Sequence, residues 1–252
     1  MKAERRRIDQ LLVERNLAES REKAQALVLA GQVLVNGQKV EKAGAAVGAG
    51  AVIEILARMP WVSRGGYKLA GALDHWKIDV TGRVCVDVGS STGGFTDCLL
   101  QRGAARVHCV DVGAGQLHWK LRNDPRVVLH EGVNARFLEP SALGEAVSLA
   151  VCDVSFISVT LILPVLPPLM EPDGEMVVLA KPQFEVGRAQ VGRGGIVRDP
   201  ALHEAVCRKV EDTARALGFR TELMESPLPG AEGNKEFLLY ATDRHCRDHR
   251  QA

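Results

Sequence analysis

Apolar positions along this chain recur with two different periods, and the change from one to the other divides it. From Ile8 to Arg15 and from Arg21 to Leu29 they fall three and four residues apart. That spacing predicts two short helices, the second with Ser20 as its N-cap and Gly31 as its stop. Val33-Leu34-Val35 and Gln38-Lys39-Val40 then flank Asn36-Gly37, a pair that takes positive φ readily and predicts a tight hairpin. A glycine-rich stretch, Ala43 to Gly50, leads to a short strand at Val52 to Ile55. Beyond Arg58-Met59-Pro60-Trp61-Val62 and the turn-like Ser63-Arg64-Gly65-Gly66, the pattern becomes apolar runs alternating with helical stretches. Helices are expected at Tyr67 to Trp76 and at Ala201 to Leu217. Strands are expected at Val84–Val88, Val107–Val110, Val127–Leu129, Leu149–Cys152, Met176–Ala180, Arg220–Met224 and Glu236–Ala241. This alternation predicts an α/β unit, a mostly parallel sheet with helices on both faces, whose ligands lie beyond the strand C-terminal ends. The expected organisation is a small α+β domain over residues 1–58, a linker over 59–66 and an α/β domain over 67–252.

One strand-to-helix junction carries most of the chemistry. Val86-Asp87-Val88 runs into Gly89-Ser90-Ser91-Thr92-Gly93-Gly94, and a helix opens at Phe95-Thr96. Glycines there let the backbone approach a ligand closely and take φ > 0. The next strand ends in Asp111, placed to accept hydrogen bonds from ribose hydroxyls. Dinucleotide folds use G-x-G-x-x-G to seat a pyrophosphate, whereas this pattern is D-x-G-x-x-x-G-G, led by a carboxylate that repels phosphate and attracts a cation. S-adenosylmethionine carries a sulfonium and an ammonium, so the loop suits that methyl donor better than a nicotinamide dinucleotide. Asp87, Gly89, Ser90, Ser91, Gly93, Gly94, Phe95, Thr96 and Asp111 are the expected donor-site residues.

Composition narrows the classes. The 252 residues are 46% hydrophobic and 25% charged with a net charge of +1, so any nucleic-acid affinity comes from local patches rather than a global field. The first 58 residues hold ten Lys and Arg against seven Asp and Glu, with Arg5, Arg6, Arg7, Arg21 and Lys23 gathered near the helix starts. No apolar run reaches the roughly 18–20 residues of a membrane helix, and the first residues lead into a polar helix rather than a signal-peptide core. The expectation is a cytoplasmic protein with no membrane partner. Cys85, Cys98, Cys109, Cys152, Cys207 and Cys246 form no C-x-x-C pair and read as small apolar fillers in a reducing compartment. The histidines show no metal-ligand spacing either, and no metal is expected.

Four polar residues stand where the sheet gives way to its loops: Lys68 on the helix before the first strand, Asp153 and Lys181 directly after two others, and Glu236 opening the last. Beside a sulfonium and a second lysine, the uncharged form of Lys181 is accessible near neutral pH. Such an amine takes the proton from a hydroxyl as that oxygen attacks a methyl group, with Asp153 orienting it and Lys68 and Glu236 completing the network. Lys181-Pro182-Gln183-Phe184-Glu185, with Arg188, Arg193 and Arg198 beyond it, reads either as a mobile basic substrate loop or as an ordinary surface loop. His118, Trp119 and Lys120 are candidates for the donor-pocket wall, Trp119 equally for plain packing.

Several strings resemble known families. R-I-D-Q-L-L-V followed by S-R-E-K-A-Q-A-L-V-L-A-G-Q-V-L-V-N-G is similar to the S4-like RNA-binding domain. The later half resembles FtsJ-type Rossmann-like class I methyltransferases, whose Lys-Asp-Lys-Glu tetrad methylates RNA ribose 2′-hydroxyls; Lys68, Asp153, Lys181 and Glu236 match it in order. Over about residues 6 to 242 the strings S-R-G-G-Y-K-L, D-V-G-S-S-T-G-G-F-T-D-C-L-L, C-D-V-S-F-I-S, K-P-Q-F-E-V-G and G-N-K-E-F-L-L-Y resemble the TlyA family, also labelled hemolysin A. The resemblance implies 2′-O-methylation of cytidines in ribosomal RNA of one or both subunits, with S-adenosylmethionine as donor. It also implies Asn134 near the adenosyl group, and RNA contacts from Arg6, Arg7, Arg21, Lys23, Arg64, Arg188 and Arg193. Three alternatives stand beside it. A base N-methyltransferase would use Asp153-Val154-Ser155-Phe156, although the prolines of that class are missing. The others are a ribosome-binding factor without catalysis and a membrane-active hemolysin.

Overall fold

The computed structural model describes residues 5–29, 31–55, 60–230 and 233–242. Arg58 at the end of the expected first domain, Met59 of the expected linker, and Cys246 lie outside them. The chain divides into two compact units, residues 1–60 and 61–252.

In the first unit the strands are β1 (Arg5–Arg7), β2 (Val33–Val35), β3 (Gln38–Lys39), β4 (Ala46–Gly48) and β5 (Ile53–Ile55). β1 pairs with β4, and β2 lies between β3 and β5, all antiparallel. Asn36 and Gly37 turn the β2–β3 hairpin with φ of 52° and 77°, the left-handed values that this residue pair tolerates best. Helices Ile8–Glu14 and Arg21–Leu29 bury Ile8, Leu11 and Leu12 against Ala24 and Val28, with Val33 and Val47 closing the core. Two elements differ from the sequence expectation. Arg5–Arg7 is an exposed strand rather than the approach to a helix, and the glycine-rich connection contains β4. Both arise from one pairing between segments about forty residues apart, which short-range periodicity does not reveal.

The second unit holds β6 (Val84–Val88), β7 (Arg106–Asp111), β8 (Val127–Glu131), β9 (Val147–Cys152), β10 (Met170–Ala180), β11 (Arg220–Glu225) and β12 (Phe237–Thr242). They form one sheet of order β11-β12-β10-β9-β6-β7-β8. Only β12 runs against its neighbours, β10 and β11. Successive strand residues alternate between two cores. Cys85, Val107, Leu149, Val151, Val177 and Leu179 pack on the side of helices Gly65–Trp76 and Gly94–Gln101. Val86, Val88, Ala150, Cys152, Met176 and Val178 pack on the side of helix Pro200–Ala216. Covered on both faces, the strands carry continuous apolar runs. Between β9 and β10 the chain makes three short 3₁₀ turns instead of a helix, because Pro164, Pro167 and Pro168 remove the amide donors a longer helix needs. Trp61 and Val62, expected as linker, pack on this unit's first core, and the Val62 amide donates to the buried Asp97 carboxylate at 2.9 Å. From central β6 the chain winds outward through β7 and β8, then returns to β9 on the other side. The resulting crevice at the strand C-terminal ends is where such a sheet receives ligands.

Candidate active site

Three adjoining cavities open along that edge. The first, about 250 Å³, is lined by Ser63, Arg64, Lys68, Asp87, the Gly89–Thr92 turn, Gly94, Phe95, Asp153, Ser155 and Lys181. Its floor is set by a local network. Asp87 is fully buried, and its Oδ2 accepts from the Thr96 amide at 3.0 Å and the Thr96 hydroxyl at 2.6 Å. Its Oδ1 is buried with no hydrogen-bond partner. Burial, opposed by the Thr96 bonds and reinforced by nearby Asp153, pushes the Asp87 carboxyl up to about 7. Gly89 takes φ of 83°, and a Cβ there would stand 2.7 Å from the Asp153 carbonyl oxygen. The turn is thus pressed against the backbone that carries Asp153.

A second cavity, about 430 Å³, is lined by Gly89, Ser91, Asp111, Gln116, Asn134 and an apolar wall that includes Val133, Phe156 and Ile162. Asp111 accepts from the Ser91 and Gly113 amides, each at 2.7 Å, which fixes its carboxylate beside the turn. Asn134 caps the short turn after β8 by accepting from the Arg136 amide at 3.1 Å. Gly93 and Thr96, expected to face the donor, line neither cavity. Gly93 takes φ of 94° where the helix begins, close to Leu117 and Leu121, and Thr96 acts through Asp87.

The third cavity, about 500 Å³, is lined by Lys68, Ser155, Phe156, Lys181, Gln183, Phe184, Val191, Gly195, Asn234 and Glu236. Three of the four polar residues expected at the sheet edge line this cavity, and Asp153, which lines the first two, joins them to make two ion pairs. Lys68 pairs with Glu236, both almost inaccessible. Lys181 Nζ lies 2.6 Å from Asp153 Oδ1 and donates to Ser155 Oγ at 2.8 Å. Glu236 directly precedes β12 rather than opening it. Glu185 clasps the two loops that bear this site. Its carboxylate accepts from the Ser158 hydroxyl at 2.5 Å, the Val159 amide at 2.6 Å and Lys209 at 2.9 Å.

Other expected residues fall differently. Trp119 is 71% exposed and lines none of these cavities. Its short helix, Trp119–Arg122, buries Leu121 instead. Lys120 approaches Asp97 at 3.6 Å. Arg64 lines the first cavity and donates to the Pro229 carbonyl at 3.0 Å. Arg188 and Arg193 are exposed on 3₁₀ turns, in a segment whose Val191 and Gly195 wall the third cavity. In the first unit, Arg6 pairs with Glu14 and Lys23 with Glu19. Arg7 and Arg21 both reach Asp9, and Gln25 joins them at 3.0 Å. Those bonds hold the inaccessible Asp9 carboxyl far below the usual carboxylate range. Sequence reading placed Ser155 and Phe156 only in the base N-methyltransferase alternative, and Gln183 and Glu185 only in a substrate or surface loop. The strings C-D-V-S-F-I-S and K-P-Q-F-E contained them, but only the facing of two loops shows what they touch. Among the described residues no His, Cys, Asp and Glu group is arranged to hold a metal, and no helix is long and apolar enough to cross a membrane.

Residues 61–242 match the FtsJ-like methyltransferase family and residues 6–53 the S4 domain. The chain is 48% identical over 248 residues to the 16S/23S rRNA (cytidine-2′-O)-methyltransferase TlyA of Mycobacterium tuberculosis, covering 96% of this chain and 92% of that one. It is 41% identical to hemolysin A of Brachyspira hyodysenteriae, over 93% of this chain and 98% of the relative. A solved structure of a candidate hemolysin from Streptococcus thermophilus superposes with a TM-score of 0.74 at 42% identity, covering 96% of this chain and 89% of that one.

Proposed function

We propose, given that this chain belongs to the TlyA family of FtsJ-like methyltransferases and carries an S4 domain ahead of the catalytic unit, that it methylates cytidine 2′-hydroxyls in ribosomal RNA. The observation that carries this reading is the placement of Lys181, with its Asp153 partner, where the first cavity meets the third. The first two cavities would hold S-adenosylmethionine, which would supply an electrophilic methyl group carried on a sulfonium, its sulfur left as a neutral thioether. The residues fit such a donor. Asp87 Oδ1 is a buried acceptor without a donor, suited to an ammonium, and Asp111 lies beside an apolar slot that suits a nucleoside. Lys181 takes the proton from the ribose hydroxyl as that oxygen forms its bond to carbon. Asp153 neutralises the resulting ammonium. Lys68, held by Glu236, places a positive charge beside the acceptor oxygen, where it stabilises developing negative charge. A ring nitrogen needs no such base, so the lysines favour ribose over base methylation.

The test is transfer of labelled methyl from S-adenosylmethionine to ribosomal subunits lacking the modification, with the product nucleosides identified. 2′-O-methylcytidine is expected. A base-methylated product would move the assignment to an Asp153-centred N-methyltransferase, and donor binding without transfer would leave a binding factor.

Two further results are expected. Asp87 holds a proton near neutral pH in the free protein, and a bound cation favours its ionised form. The free state therefore binds more proton than the complex, and affinity rises with pH up to and through about 7. Titration calorimetry should show donor binding about tenfold weaker at pH 6 than at pH 8, with net proton release in buffers of differing ionisation enthalpy. A flat profile would remove Asp87 from donor recognition. In the S4 domain, Asp9 holds the half-exposed Arg7 and Arg21 side by side. Replacing both by alanine should weaken subunit binding and flatten its dependence on salt by about one to two ions. An unchanged slope in filter-binding measurements would assign both arginines to domain structure alone.

A further inference from the structure

We infer that Ser155 is the positioning residue that aims the Lys181 lone pair at the acceptor hydroxyl; the inference rests on Lys181 being the base. Ser155 lines all three cavities, the two on the donor side and the acceptor cavity, so its hydroxyl marks their common junction. Its Oγ accepts the hydrogen bond from Lys181 Nζ at 2.8 Å. The Asp153 Oδ1 contact is shorter, at 2.6 Å, but it lacks the alignment of a hydrogen bond, and that buried oxygen has no other donor. Asp153 therefore contributes charge, and Ser155 contributes direction.

The consequence follows from the valence of nitrogen. A neutral lysine amine has two N–H bonds and one lone pair, arranged about the freely turning Cε–Nζ bond. The bond to Ser155 stops that rotation and occupies one position. Of the two that remain, the one beside the Asp153 carboxylate repels a lone pair and attracts an N–H. The lone pair is left with the third position. A hydroxyl proton then moves onto it, and the new ammonium keeps both earlier contacts. Phe156, next in the chain, takes φ of 66°, a strained value for a bulky residue. It turns the backbone away immediately after Ser155. The Phe184 ring, with its centroid 5.9 Å from Lys181 Nζ, borders the amine on the acceptor side.

The experiment compares Ser155→Ala, Ser155→Thr and Lys181→Ala in single-turnover methyl transfer to unmodified ribosomal subunits across pH. Ser155 is exposed, so alanine there leaves the fold intact. The alanine variant is expected to lose roughly tenfold to a hundredfold in rate, the scale of a misaimed reacting group. Donor affinity and KM for subunits should stay within about twofold. Removing an acceptor of the charged amine should also move the acid limb of the pH–rate profile to lower pH. The other ionisable groups lining the cavities, Asp87, Asp111, Asp153, Lys68, Arg64 and Glu236, are unchanged in these variants. Threonine keeps the hydroxyl and should recover most of the rate and the original profile. A wild-type rate in Ser155→Ala, with Lys181→Ala inactive, would overturn the positioning role and leave the base in place. Equal losses in alanine and threonine with an unmoved pH profile would reduce Ser155 to packing. An active Lys181→Ala would overturn the base and this inference together.

Discussion

Lys181→Ala is expected to abolish methyl transfer while leaving donor and subunit binding within about twofold, a loss of about 10²–10⁴ in rate if the amine is the general base. The side chain is almost inaccessible and its partners lie on the neighbouring loop, so nothing else among the lining residues can reach the same point with a neutral nitrogen. Lys68 is the nearest alternative by type, but it is committed to the buried Glu236. Removing Lys181 leaves Asp153 without its counter-charge in a site that also contains Asp87, and that adds to the cost. Lys181→Arg separates the two roles. Arginine restores a positive charge beside Asp153 but does not deprotonate near neutral pH. An inactive arginine variant that still binds donor and subunits assigns proton removal to Lys181. An arginine variant with substantial activity would show that positive charge suffices, and the base would have to be sought elsewhere.

The second large effect is expected at Gly89. Its φ of 83° costs any L side chain about 1 kcal/mol or more. Steric overlap costs more than the backbone angle does. A Cβ would lie 2.7 Å from the Asp153 carbonyl oxygen and 3.0 Å from its carbonyl carbon. Those atoms are backbone at the end of β9 and cannot swing aside as a side-chain terminus can. Gly89→Ala should therefore push the turn away from Asp153, separate Asp153 from Lys181 and deform both donor-side cavities at once. Donor binding by calorimetry should fall below detection, with a lowered melting temperature. Gly82→Ala is the control, since Gly82 also has positive φ, at 73°, but a Cβ there meets nothing within 4 Å. It should cost stability alone and leave the donor affinity of the folded protein unchanged. Equal behaviour of the two variants would mean that strain, not contact with Asp153, governs Gly89.

Much of this site was readable along the chain because chemistry in such a sheet collects at strand ends. An apolar run stopping at a charged residue locates that residue without any contact information. Lys181 after Val177–Ala180 and Asp153 after Leu149–Cys152 are of this kind. Trp119 shows the opposite case. Its proximity in sequence to Asp111 suggested a wall of the donor cavity, yet the short helix there turns on Leu121, and the larger ring is left outside. Local order along the chain says which residues are near, not which of two neighbours faces inward.

What the sequence by itself determined is the set of elements and the edge on which the polar residues gather, since both follow from the helical spacing of apolar positions, from the continuous apolar runs and from the charged residues at which those runs stop. Only the tertiary structure decided the pairings. Lys68 finds Glu236 across 168 positions, and Lys181 takes Asp153 for charge and Ser155 for direction. Arg7 and Arg21 share Asp9, and the third strand pairing of the first unit appears where no local pattern foretold it. Such choices depend on distances between segments remote in the chain, and those distances exist only once the sheet order has brought the loops together.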